Sequence, residues 1–149
     1  MADYKHVLLV TDLREDSDQL FEKAKLMMEL GEKIKLSILH VVQESILTAG
    51  YEIVPIVPAS DESELVQQAR GKIDALLTRF AITTDAVYIE TALSTRRGIL
   101  DYVESNAPDL LIIGRHTRHG LAALLGATAD DVLPAVNCDV LVVKLGAPV

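Results

Sequence analysis

Two short segments of this chain hold the residue types that could do chemistry. The first is Thr11-Asp12-Leu13. The second runs Gly114-Arg115-His116-Thr117-Arg118-His119-Gly120 and continues to Gly126-Ala127-Thr128. It gathers two Arg and two His within five positions of an otherwise acidic chain, flanked by glycines that allow tight turns and close backbone approach. An anion would be favoured there, and the unpaired N–H groups at a following helix start would add to the attraction. Phosphate binding is the sharp reading. The plain one is a surface loop whose Arg and His pair with nearby carboxylates, and both stay open because short motifs match by chance. Thr128 either caps a helix carrying Asp130 and Asp131 in its first turn or contacts phosphate, with those acids facing away or holding a cation. Asp12 either contacts a polar ligand or caps the loop that follows.

Other candidates are weaker. His116 and His119 stand three apart, but no third ligand lies at metal-site spacing, so no metal is expected. Cys138 has no basic neighbour in sequence before Lys144, and nothing suggests a lowered thiol pKa. His40 sits inside an aliphatic run and reads as a hydrogen-bonded core or strand-end residue. There is no nucleophile elbow, no Gly-x-x-x-x-Gly-Lys-Ser/Thr loop and no Gly-x-Gly-x-x-Gly turn. The chain is therefore not expected to be an enzyme.

The elements that must position these residues follow from apolar spacing. Val7–Val10, Leu36–Val42, Ala86–Ile89, Leu110–Ile113 and Val140–Val143 are short aliphatic runs with polar borders, as strands buried on both sides require. Between them lie helical stripes: Leu20, Ala24, Met27 and Met28; Leu65, Ala69, Ile73, Leu76 and Leu77; Ile99, Leu100 and Val103 within Thr95–Ala107; and Leu124, Leu125, Val132 and Leu133 within Leu121–Val136. Alternation of strand and helix predicts an α/β fold, an open twisted five-stranded parallel sheet with helices on both faces. Asn106-Ala107-Pro108-Asp109 stops the third helix before the fourth strand. The segment Gln43–Ser60 has no clear period and is expected to be a long connection, too apolar for a solvated linker, folding over a pocket or a partner subunit. In such a sheet, ligands gather beyond the carboxyl ends of the strands, at the point where strand order reverses.

Composition bounds the partners. The chain has 149 residues, 22 acidic against 14 basic, a formal charge of −8, 50% hydrophobic residues, only 4% aromatic residues and no Trp. One domain spanning residues 1–149 is expected. The negative charge repels phosphate backbones and anionic membranes, and the few aromatics offer no base-stacking platform, so nucleic acid is not an expected partner. A single cysteine excludes an internal disulfide and suits a reducing compartment. No apolar run approaches the ~20 residues of a membrane span, and no secretory region opens the chain, so a soluble cytoplasmic protein is expected.

Tyr4-Lys5-His6-Val7-Leu8-Leu9-Val10-Thr11-Asp12-Leu13, Leu39-His40-Val41, Asp109-Leu110-Leu111-Ile112-Ile113-Gly114-Arg115-His116 and Asp139-Val140-Leu141-Val142-Val143-Lys144 together resemble the universal stress protein family, in its order and spacing and over nearly the whole chain. The resemblance implies a Rossmann-like sheet of order 3-2-1-4-5, with the switch point between the first and fourth strands, and a cytoplasmic homodimer tied to stress resistance. Its dimers often pair the last strand, here Val140, Leu141, Val142, Val143 and Lys144, with its own copy. Nucleotide-binding members carry Gly-x2-Gly-x9-Gly-Ser/Thr after the fourth strand. Laid on this chain, those positions are Gly114, Thr117, Ala127 and Thr128, of which two match; a one-residue slide recovers Gly126 but loses the hydroxyl. The resemblance is closer to the universal stress protein A branch, which lacks that pattern, so no cofactor is expected. The alternative is a nucleotide switch using ATP with magnesium, in which Asp12 and the Val41 or Val42 backbone hold the base while Gly114, Gly126, Ala127 and Thr128 line sugar and phosphates. The pair Arg115 and Arg118 keeps that alternative in play.

Overall fold

The computed structural model describes residues 4–14, 16–31, 33–43, 46–49, 52–55, 59–116 and 132–145. In chain order these form β1 (His6–Val10), α1 (Ser17–Met28), β2 (Lys35–Gln43), β3 (Ile46–Ala49), β4 (Glu52–Pro55), α2 (Ala59–Arg79), β5 (Ala86–Ala92), α3 (Thr95–Asn106), β6 (Leu110–His116), a 3-10 turn at Leu133–Ala135, and β7 (Asp139–Leu145). Five strands make one sheet in the order β5-β2-β1-β6-β7, every pair parallel. Counting only the strands of this sheet, the order is 3-2-1-4-5, as the family resemblance implies.

Strand side chains alternate between faces, and the sequence uses that alternation to build two cores. Val7 and Leu9 of β1, Leu36 and Ile38 of β2 and Ile112 of β6 pack with Leu20, Phe21 and Ala24 of α1 and Ile73 of α2. On the opposite face Leu8, Val10, Leu39, Val41, Leu111 and Ile113 pack with Ile99 and Tyr102 of α3 and with Val132. The central strands carry apolar residues at consecutive positions because both faces are covered. Each fully buried Leu, Ile or Phe stabilises the fold by about 1.5–3 kcal/mol.

Local chemistry sets the element ends. Ser94 accepts a hydrogen bond from the Arg97 N–H (3.1 Å) at the start of α3. At its other end Ala107 adopts a left-handed conformation (φ 45°) and donates its N–H to the Val103 carbonyl, and Pro108 prevents continuation. Where the strands begin, the Asp109 carboxylate accepts the N–H groups of Lys5 and His6, each at 2.8 Å, and Asp85 accepts that of Leu36 at 2.7 Å.

Two expectations change. The segment Gln43–Ser60 is not simply a connection: β2 runs to Gln43, and β3 and β4 form an antiparallel hairpin with Ile46 opposite Pro55 and Ala49 opposite Glu52. Two four-residue runs around Gly50-Tyr51 are too short to show a period, although the two-residue gap is a hairpin spacing. Second, β6 continues beyond Ile113, so Gly114, Arg115 and His116 are strand residues opposite Val143, Lys144 and Leu145 rather than members of a loop. Ladder pairing to β7 holds them extended despite their polarity. Of the helix expected over Leu121–Val136, the described part is Val132 and the 3-10 turn, while Leu124 and Leu125 lie outside the described residues.

Candidate functional site

Parallel pairing places the carboxyl ends of β1, β2 and β6 side by side, with Leu9 of β1 opposite Ile38 of β2 and Ile112 of β6. The chain leaving β1 is held in place by Thr11, which is buried. Its N–H donates to the Leu39 carbonyl (3.0 Å), extending the ladder by one residue. Its carbonyl accepts from His40 Nδ1 (2.8 Å), and its hydroxyl accepts the Leu13 N–H (3.1 Å) while facing Ser17 Oγ at 3.3 Å. These bonds turn the backbone sharply enough that Leu13 takes a left-handed conformation (φ 59°), uncommon for a residue with a side chain. Asp12 is thereby presented at the sheet's carboxyl end, where one carboxylate oxygen accepts the Arg14 N–H (3.1 Å) and the other pairs with Arg14 Nε (3.4 Å).

Between this turn and α2 lies a cleft of about 270 Å³, lined by Asp12, Leu13, His40, Val41, Val42, Leu65, Gln68, Ala69 and Lys72. A carbonyl can only accept, so His40 donates through Nδ1, and in its neutral form Nε2 is the ring's acceptor. The cleft thus presents one carboxylate, one imidazole, one amide and one ammonium around Val41, Val42 and Leu65, a setting suited to a small ligand with an apolar body and polar edges.

Of the residues singled out from sequence, Asp12 and Val41 line this cleft together. Gly114 and Arg115 do not. A Cβ at Gly114 would come within 2.2 Å of Leu145 Cδ1 and 3.3 Å of Leu20 Cδ1, so the missing side chain is accounted for by packing of β6 against β7 and α1. The Arg115 side chain is exposed. Thr117, Arg118, His119, Gly126, Ala127 and Thr128, with Asp130 and Asp131, lie outside the described residues. No group of three or more metal-ligating side chains occurs among the described residues. Cys138 is half-buried, and burial pushes its thiol up, away from the reactive range.

The wall formed by α2 was not foreseen. Leu65, Ala69 and Lys72 recur at helical spacing, with Gln68 one turn before Lys72. The signal was a pair of polar residues beside the apolar stripe, midway along the helix Ala59–Arg79. Thr11 was likewise quoted without a role, because its importance lies in backbone contacts that residue type does not reveal.

A doubly wound parallel sheet with an open cleft beyond the ends of its central strands defines a Rossmann-like α/β protein. Within that class the chain belongs to the universal stress protein family, whose model matches residues 3–144. It is 31% identical over 147 residues to universal stress protein A homolog 2 of Coxiella burnetii, covering 97% of this chain and 98% of that one. The fold is similar to that of universal stress protein UspA from Lactobacillus plantarum (TM-score 0.67, 23% identity, 96% and 99% of the two chains). It is also similar to a universal stress protein solved in complex with cAMP (TM-score 0.60, 17% identity, 97% and 100% covered). No described helix is long and apolar enough to cross a membrane.

Proposed function

We propose that the chain is a non-enzymatic stress-response protein of the cytoplasm, acting as a homodimer and not holding ATP through an intact glycine motif. The observation that carries this reading is the environment of Gly114. The first glycine of the motif is favoured by the close approach of Leu145 and Leu20 whether or not a ligand is present, so its presence alone does not mark a sugar or phosphate site. Thr117 and Ala127 replace the other two glycines.

The dimer would form along Val140–Lys144. β7 is the outermost strand of the sheet beyond β6, and among the described residues no strand pairs with its other edge. Val140, Leu141 and Val142 remain half-buried there, and pairing with a second copy would satisfy the exposed backbone groups. Light scattering at micromolar concentration is expected to give the mass of two chains.

A second reading, a nucleotide-binding switch, is favoured by the cleft that Asp12 and Val41 share and by the cAMP-bound relative. Calorimetry with ATP and magnesium separates the two. The first reading expects no heat at about millimolar nucleotide, a concentration that detects binding free energies of about −4 kcal/mol. Saturable heat that disappears in an Asp12→Ala variant would replace it with the second.

A further inference from the structure

At the far edge of the sheet from β7, a groove of about 280 Å³ runs between β5 and α3, lined by Tyr88, Glu90, Thr91, Ala92, Gly98, Asp101, Tyr102, Ser105 and Asn106. The helix is pinned closest to the sheet at its first turn, where a Cβ on Gly98 would lie 2.8 Å from both Val41 methyls. The groove's walls are two tyrosines and two carboxylates, with no Lys or Arg among its lining residues. The rings of Tyr88 and Tyr102 meet at 5.0 Å with an interplanar angle of 56°, which fixes the Tyr88 face beside Glu90. Asp101 pairs with the exposed Arg97 one turn before it (3.5 Å), a contact weak enough to be exchanged for another cation.

Among the described residues no strand covers the adjoining edge. β5 pairs with β2 alone, and the register is continuous from Ala86 to Ala92 without a bulge. Its sequence, Ala86-Val87-Tyr88-Ile89-Glu90-Thr91-Ala92, contains no Lys, Arg or Pro, the usual blunting devices; Glu90 is its only charge. Among the described residues nothing pairs with its outer backbone groups. Edge-to-edge pairing of two copies through β5 would bring Glu90 toward Glu90 in a chain of net charge −8. A cationic partner meets no such cost.

We propose that the outer edge of β5 receives an extended basic segment of a partner protein as an added strand, with one Lys or Arg side chain resting on Tyr88 between Glu90 and Asp101. Backbone pairing supplies the affinity and the aromatic, acidic groove supplies the preference for a cation. This surface lies apart from the cleft at β1 and β2 and does not depend on what that cleft holds.

The test is fluorescence anisotropy with a fluorescein-labelled ten-residue peptide of alternating Lys and Val, and with its Glu and Val counterpart. The basic peptide is expected to bind in a salt-sensitive way and the acidic one not to bind. Glu90→Lys, at an exposed position, should weaken binding about tenfold or more. Hydrogen exchange on the unaltered protein should show new protection of amides within 86–92 on addition of the basic peptide. Equal binding of both peptides, an unchanged affinity in Glu90→Lys, protection confined to other elements, or no binding at about millimolar peptide would each overturn the proposal.

Discussion

Thr11 shows how much of the site rests on one short side chain. Its hydroxyl is buried, accepts the Leu13 N–H and faces Ser17 Oγ, while its backbone ties β1 to Leu39 and His40. Replacing it with Val keeps the shape but strips the part-buried Leu13 N–H of its acceptor and removes the bond to Ser17, a change costing about 1–3 kcal/mol. Thr11→Val is therefore expected to lower the urea midpoint without changing the slope of the transition, and Thr11→Ser to restore most of the loss. Equal stability of Thr11→Val and the unaltered chain would mean that the turn does not depend on the hydroxyl. The aliphatic run before it was enough to place Asp12 at a strand's carboxyl end, whereas Val41, inside its own run, joined it only through the family resemblance; both line the cleft. At Gly114 a glycine beside Arg and His suggested a ligand, and the structure adds a packing reason for the same residue, since a Cβ there would crowd Leu145 and Leu20.

Elements were legible in proportion to their burial. The runs at Val7–Val10 and Leu110–Ile113 are apolar throughout because helices cover both faces, and both central strands were located from them. β5 was foreseen only to Ile89, because at the edge of the sheet its last turn outward carries Glu90 and Thr91, residues an open edge tolerates. The packing of α3 yields a direct test. Gly98 lets the helix approach β2 and β5, and a Cβ there would meet Val41 at 2.8 Å and Ala92 at 3.3 Å. Helix propensity alone favours Gly98→Ala by about 1 kcal/mol, whereas overpacking a filled contact costs about 1–3 kcal/mol. Crowding against two buried methyls should win, so Gly98→Ala is expected to melt about 2–4 °C lower for each net kcal/mol lost. A higher melting temperature would show that the helix shifts freely away from the sheet.

Across the whole molecule the two ends of the sheet do different work. The carboxyl end carries the cleft, and the amino end carries hydrogen bonds that fasten the strands and the chain leading into them, including Tyr4 Oη donating to Asp139 (2.8 Å) and His6 Nε2 beside Ser37 Oγ (2.9 Å). The titratable groups at that end set a pH window. Burial, followed by the nearby Lys35 charge, pulls the His6 imidazole below its ordinary value, so the unfolded chain binds the proton more readily and stability falls as pH drops below about 6.5. The N–H groups of Lys5 and His6 hold the Asp109 carboxyl below its ordinary value; its contribution is complete above about 3.9 and is lost as pH falls further. At the alkaline side the bond to Asp139 raises the Tyr4 phenol, so its contribution is present below about 10 and is lost as pH rises through the raised value. Urea unfolding followed from pH 3 to 11 should therefore trace a plateau bounded by these groups, roughly from 6.5 to 10. His6→Gln should flatten the shoulder just below 6.5 while leaving the steeper loss near 4 in place, and Asp109→Asn should do the reverse. If neither substitution reshapes its own limb of the profile, the acid sensitivity of the fold must come from groups elsewhere than the amino end of the sheet.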